Sequence, residues 1–117
     1  DARAAALREA NEEIGLPKRH AEVLGEIDHY ETGTGFRVAP IVAMIHPLFQ
    51  PRPDPREVAA VFETPLDYLM NHANLKTHTG HWGGRERKYY AYDWEDRYIW
   101  GATAGMLKSL ADRLASL

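Results

Sequence analysis

Four prolines within nine residues, Pro47, Pro51, Pro53 and Pro55, most constrain how this chain of 117 residues can fold. Proline lacks the backbone N–H that a helix interior or a central strand needs, so this stretch is predicted to be a loop. Helices and strands are therefore expected on either side of this loop.

The segment before the proline-rich loop predicts one helix and two strands. Residues 2–14 are mostly strong helix formers, and Gly15 is a typical residue for the end of a helix. Residues 23–30 and 36–45 predict strands joined by a glycine-rich turn at 32–35. The second of these is almost continuously apolar, which is typical of a strand buried on both faces.

The segment after the loop predicts further strands and helices in alternation. It contains a short strand at 58–63, a helix starting at Thr64-Pro65 and running to about 70, a polar loop at 71–87, an aromatic hairpin of 88–92 and 97–100, and a final helix with leucines at helical spacing. The interleaving of strands and helices predicts the α/β class. The length suits a single domain over residues 1–117.

Composition excludes several functional classes. The formal net charge of -3 provides no general attraction for nucleic acid, so a nucleic-acid partner is not expected. No apolar run approaches the roughly 20 residues that cross a bilayer, so no membrane partner is expected either. The chain contains no cysteine, which fits a reducing compartment, and a cytoplasmic location is the expectation.

Three glutamates converge on one face of the first predicted helix. Glu9, Glu12 and Glu13 are three and four residues apart, and residues at these spacings are neighbours on a helix surface. Their mutual repulsion, near the negative end of the helix dipole, would be relieved by a hard divalent cation. The alternative is a solvated acidic face braced by an ion pair between Arg8 and Glu12.

The run Arg8-Glu9-Ala10-Asn11-Glu12-Glu13-Ile14-Gly15-Leu16 resembles the second half of the Nudix box. This resemblance implies a mixed sheet packed between helices, an α/β/α sandwich, and hydrolysis of a phosphate anhydride with Mg²⁺ or Mn²⁺. It implies that Glu9, Glu12 and Glu13 bind the metal and that Arg8 and Gly15 support the site. A further Glu of the box would immediately precede Asp1, so the domain is expected to be incomplete at its N-terminus and to lack the family's first strands.

Three other segments, 32–40, 57–66 and 99–104, are similar to the coenzyme A pyrophosphatase branch of that family. This resemblance implies a small nucleotide substrate, coenzyme A or its acyl esters, cleaved to 3',5'-ADP and a 4'-phosphopantetheine product. ADP-ribose, NADH or nucleotide sugars are the alternative substrates. A nucleotide-binding module without turnover is a further alternative, and a homodimer is possible.

Hydrolysis also needs a general base for the attacking water, and the candidates are Glu12 and Glu13 of the helix and Glu57 after the prolines. A solvated residue at the start of a strand is the alternative interpretation of Glu57.

Weaker signals lie further along the chain. A basic cluster that could bind phosphate comprises Arg85, Arg87 and Lys88. The aromatic residues that could stack on adenine are Tyr89, Tyr90, Tyr92 and Trp94. Two histidines at a spacing tolerated by zinc sites are His78 and His81. Surface charge, core packing and a mobile polar flap are the respective alternatives.

Overall fold

The computed structural model describes all of residues 1–117 and contains three α-helices and seven strands. In chain order these are α1 Ala2–Ile14, β1 Ala21–Glu26, β2 Tyr30–Glu31, β3 Arg37–Val38, β4 Ile41–Ile45, α2 Leu66–Met70, β5 Lys76–Trp82, β6 Arg85–Trp94, β7 Arg97–Trp100 and α3 Gly101–Ala115. Short 3₁₀ turns at Lys18–His20 and His72–Asn74 precede β1 and β5. This mixture of helices and antiparallel sheets is consistent with the predicted Nudix-like α/β fold.

The chain divides into two compact units. The first unit comprises residues 1–27 and 39–63, and the second comprises residues 28–38 and 64–117. A single domain over the whole chain stays a prediction. No helix in either unit is both long enough and apolar enough to span a bilayer.

The first unit contains α1 and an antiparallel pair of strands, β1 and β4. The register runs from Ala21 opposite Ile45 to Glu26 opposite Ile41, with an irregularity between Val23 and Gly25. Side chains along β1 alternate between half-buried and exposed, as expected when only one face of a strand packs on its neighbours.

The predicted strand at 36–45 is interrupted. β3 and β4 are separate strands in different sheets, and Pro40 lies between them. Proline cannot donate to a strand ladder, although its carbonyl accepts from the Ile27 amide at 3.1 Å. Met44 is 59% exposed, so the prediction of burial on both faces is wrong for β4. Apolar composition predicts a strand, but burial depends on what packs against it.

The predicted strand at 58–63 is absent because residues 58–65 form no strand in the structure. The amides of Glu57 and Val58 both donate to the carbonyl of Asp54, at 3.0 and 2.8 Å, and so close a turn. No neighbouring strand pairs with the residues that follow. An apolar run without a pairing partner does not become a strand.

The second unit packs α3 and α2 on a sheet with the order β5-β6-β7. Its core is formed by Leu69, Tyr92 and Ala104, and Tyr92 is only 1% exposed. The buried residues of α3 are small, Ala104, Gly105 and Ala111, whereas Leu114 in its last turn and Leu117 beyond its end are exposed. The helix therefore approaches its neighbours through small residues, and its last two leucines lie outside the core.

The prediction of a polar loop at 71–87 is wrong, because this segment contains β5 and the start of β6, which pair from Lys76 opposite Ala91 to Trp82 opposite Arg85. Gly83 and Gly84, with φ of 62° and 70°, form the two-residue connection between these strands. Two consecutive positive φ angles are typical of the tight turn that joins antiparallel strands. Gly83 and Gly84 therefore mark a hairpin turn. The hairpin predicted from 88–92 and 97–100 is confirmed, and its first strand, β6, is longer than predicted.

Candidate active site

The helix α1 carries the three glutamates as its sequence predicted. It spans Ala2–Ile14, and the carboxylate of Asp1 accepts from the Ala4 amide at 2.8 Å, which caps its N-terminus. Glu9, Glu12 and Glu13 are all exposed in the last turns of the helix. The helix thus presents three carboxylates at neighbouring positions of its solvent-exposed surface.

Gly15 ends the helix in the left-handed conformation, with φ of 73°. Its amide donates to the Asn11 carbonyl at 2.9 Å, and the following amide of Leu16 donates to the Ala10 carbonyl at 3.4 Å. The side-chain amide of Asn11 donates to the carbonyl of Leu16 at 3.1 Å, and Leu16 is buried. This arrangement holds the end of the helix that carries the glutamates and gives Gly15 a structural role there.

Replacing Gly15 with alanine should lower the free energy of unfolding by about 1–2 kcal/mol, because a side chain is strained in the left-handed conformation. Space is not the cause, since an added Cβ would lie 3.5 Å from Arg52, an ordinary contact. Gly25→Ala is the matched control, because no atom lies within 4 Å of its added Cβ. Urea denaturation of both variants measures the effect. An equal loss at both positions would contradict the proposed role of the φ angle.

The proline-rich loop is bonded to the same end of α1. The Arg52 amide donates to the Ile14 carbonyl and the Asp54 amide donates to the Glu13 carbonyl, each at 2.8 Å. These carbonyls have no partner within the helix, so the loop satisfies them. Glu57 lies in the turn whose first carbonyl belongs to Asp54, and the Asp54 amide is itself bonded to the end of the glutamate helix. The side chain of Glu57 is exposed.

Arg52 and Asp54 were missed by sequence reasoning, although each is flanked by prolines. A residue before proline is restricted to extended backbone, which points its amide away from the local chain and toward another acceptor.

Asp54 also forms a bidentate pair with Arg56, at 3.1 Å to Nε and 2.9 Å to Nη2. Hydrogen bonds from the Arg56 side chain and then its backbone lower the pKa of Asp54. Asp54 is therefore ionised at neutral pH and held by Arg56.

Comparison with known proteins finds similar proteins that share one name. No protein-family model matches the chain. Over 108 residues, 92% of this chain, it is 35% identical to a protein named Nudix hydrolase NudL from Klebsiella pneumoniae strain 342, and 36% identical to one of that name from Salmonella paratyphi B. A protein of the same name from an Enterobacter species is 34% identical over the same length. The chain is therefore similar, over most of its length, to proteins named Nudix hydrolases. It spans 56% of the length of each of these relatives.

The residues of the Nudix-like helix fit a divalent metal in their chemistry and spacing. Carboxylate oxygens are the ligands that Mg²⁺ and Mn²⁺ prefer, and the three glutamates lie within one helical turn of each other. Nowhere in the chain, however, do three acidic or histidine side chains gather as a formed metal-binding group. The structure thus confirms the helix and the exposure of Glu9, Glu12 and Glu13, while their role in metal binding stays a prediction.

Arg8 lies beside this set rather than within it. Its Nε is 3.9 Å from Oε1 of Glu12, and both side chains are more than half exposed. An exposed pair at this spacing contributes only about 0.3–0.5 kcal/mol. The contact orients Glu12 weakly, which agrees with a supporting position for Arg8.

The weaker candidates all lie in the second unit. Tyr92 is buried in the core and is not available for stacking on a ligand, whereas the half-buried Trp94 packs on Tyr68 with ring centres 4.9 Å apart. His78 and His81 lie on strand β5 instead of in a polar flap. Arg87 and Tyr89, in contrast, line a cleft of about 760 Å³ together with the turn at 32–34, Trp82 and Trp100.

Proposed function

We propose that this chain contributes to a metal-dependent pyrophosphohydrolase of the Nudix type. The observation that carries the proposal is the capped helix α1, which exposes Glu9, Glu12 and Glu13 within a run that matches the second half of the Nudix box. The similarity to proteins named Nudix hydrolases over 92% of the chain supports it. Because the chain spans only 56% of the length of these relatives, the activity proposed is that of the whole protein.

In this proposal Glu9, Glu12 and Glu13 hold the cation. Mg²⁺ or Mn²⁺ bound there would neutralise charge on the phosphate oxygens and lower the pKa of a bound water. The carboxylates of Glu12 and Glu13 are also candidates to accept the proton of the attacking water. Arg8 orients Glu12, and Gly15 holds the end of the helix, so both act through the glutamates.

Glu57 is the candidate base from outside the helix. The hydrogen bond from Asp54 to Glu13 and the turn from Asp54 to Glu57 connect this carboxylate to the helix end through backbone contacts alone. A base positioned by backbone needs no long side-chain network to stay in place. The exposed side chain leaves it able to reach a water, which a general base must do.

Coenzyme A or an acyl ester of it is the proposed substrate, with 3',5'-ADP and a 4'-phosphopantetheine product released. The similarity of segments 32–40, 57–66 and 99–104 to the coenzyme A pyrophosphatase branch supports this choice. ADP-ribose, NADH and nucleotide sugars are the alternatives within the same reaction type. The proposed partner is therefore a small nucleotide, and a homodimer in the cytoplasm is the proposed working form.

A substrate panel tests the reaction and the substrate together. Protein with Mg²⁺ or Mn²⁺ should release 3',5'-ADP from coenzyme A faster than it hydrolyses ADP-ribose or NADH, and excess EDTA should abolish turnover. Product analysis by chromatography measures each rate. A clear preference for ADP-ribose would move the protein to the alternative substrate class, and binding without turnover of any compound would favour a nucleotide-binding module.

A further inference from the structure

A small cavity in the first unit contains two histidines to which the proposed function assigns no role. The cavity has a volume of about 350 Å³ and is lined by residues 19–22 and 44–47. The His46 amide donates to the His20 carbonyl at 2.8 Å, which continues the pairing of β1 with β4 by one residue. His20 and His46 are therefore directly opposite each other, and their side chains are neighbours on one face of the strand pair.

The two imidazole rings are separated by a distance that suits a shared metal ion. Their centres lie 5.2 Å apart, and their planes are tilted by 31°. Two imidazoles bound to one ion through nitrogens about 2.0–2.1 Å from it, at a trigonal or tetrahedral angle, have ring centres roughly 5–5.5 Å apart. The observed separation lies within this range, so both rings can reach one ion without a shift of the strands.

The ring nitrogens of this pair are only partly satisfied by the chain. Nδ1 of His20 is buried and makes no hydrogen bond, although buried polar atoms are normally paired. Nδ1 of His46 accepts from the Leu48 amide at 3.1 Å. Coordination through that nitrogen would release the amide of Leu48, an exposed residue where water can replace the bond. A metal ion would therefore give His20 the partner it lacks at the cost of one exposed hydrogen bond.

Met44 supplies a third donor of a different kind. It precedes His46 by two residues, so the two side chains point to the same side of the chain, and it lines the same cavity. Its side chain is 59% exposed, although methionine is usually buried. Thioether sulfur is a soft ligand that selects Cu(I), and imidazole also suits copper. The cavity thus combines two imidazoles with a soft sulfur that is open to an ion.

We propose that His20, His46 and Met44 bind one Cu(I) ion. No third histidine or acidic side chain joins the two imidazoles, which disfavours Zn²⁺, and Mg²⁺ and Mn²⁺ prefer oxygen ligands. Arg19 and Glu22 line the cavity with opposite charges, so they leave little net charge to repel a monovalent cation. The inference does not require the proposed hydrolysis, because the cavity contains no residue of α1.

Titration of the full chain with Cu(I) tests the proposal. Without oxygen, with ascorbate as reductant and bicinchoninate as the competing coloured chelator, the protein should take up Cu(I) at one saturable site. The Leu48 amide signal in ¹⁵N–¹H spectra should shift during the titration, because its bond to His46 is lost. Mn²⁺ should not displace the bound Cu(I). Failure to compete with bicinchoninate, or a Leu48 signal that does not move at saturation, would overturn the proposal.

Variants assign the ion to these side chains. His46→Gln and Met44→Leu should each weaken Cu(I) binding at least about tenfold, and both positions are exposed, so the fold should be retained. His81→Gln and Met106→Leu are the matched controls, a histidine and a methionine that do not line the cavity, and both should bind as wild type. Unchanged affinity in His46→Gln or in Met44→Leu, or an equal loss in the controls, would refute the proposed ligand set.

A further variant separates this site from the proposed hydrolytic one. Replacing Glu9, Glu12 and Glu13 by glutamine should leave the affinity for Cu(I) unchanged, because none of them lines the cavity. Loss of Cu(I) binding in that variant would place the ion on α1 and contradict the proposal. The titration contains no nucleotide, so its failure would leave the substrate panel untouched.

Discussion

Replacing Glu9, Glu12 and Glu13 together by glutamine should reduce hydrolysis at least about 100-fold, equivalent to roughly 2.7 kcal/mol of transition-state stabilisation. Glutamine keeps the size of the side chain but removes the negative charge that a divalent cation requires. Stability should stay the same or rise by a few tenths of a kcal/mol, because three like charges near the negative end of α1 are removed. Turnover, calorimetric titration of Mn²⁺ and melting temperature measure the three effects.

The matched control for this variant is Glu22→Gln, an exposed glutamate on β1 of the same unit. It should retain wild-type turnover and Mn²⁺ affinity, because it lies outside the helix. Unchanged Mn²⁺ binding in the triple variant would contradict the metal site itself. Lost turnover with unchanged Mn²⁺ binding would instead limit the glutamates to proton transfer.

Replacing Gly105 with alanine should lower the free energy of unfolding by about 1–3 kcal/mol, the usual cost of overpacking a core. Gly105 is buried in α3, and an added Cβ would lie 2.3 Å from the Tyr30 hydroxyl and 2.5 Å from its ring. The Tyr30 ring would have to swing away from the helix and lose its packing. The melting temperature should fall by several degrees, as measured by circular dichroism.

A second background isolates this contact. With Tyr30 already replaced by alanine, Gly105→Ala should become neutral or stabilising by up to about 1 kcal/mol, since alanine favours helix more than glycine does. Thr103→Ala, at an exposed position of the same helix, controls for helix propensity in the wild-type background. The same loss of stability with and without the Tyr30 ring would refute the steric explanation.

Features set by neighbouring residues were predictable. The bounds of α1 were predicted to the residue, because a run of strong helix formers and the Gly15 after it act within a few residues. The turn at 32–35 and the pairing of β6 with β7 were predicted for the same reason. The exposed glutamates also followed from helical spacing alone, so the candidate metal ligands required no tertiary information.

Features that depend on distant partners were not predictable in this way. Strand β5 was assigned to a loop because its polar residues and glycines become a strand only by pairing with β6. The attachment of Arg52 and Asp54 to the end of α1, and with it the place of Glu57, joins segments about 40 residues apart in the chain. The cleft needs the turn at 32–34 to meet the hairpin more than 50 residues later.

The sequence by itself therefore determined the helix and its row of carboxylates, because helical hydrogen bonds join residues four apart and the spacing of side chains follows directly. Only the tertiary structure decided which apolar strands are buried, where the proline loop is bonded and which aromatic residues stay exposed. These depend on contacts between segments far apart in sequence, and the free energy of such contacts has no local pattern that a single sequence displays.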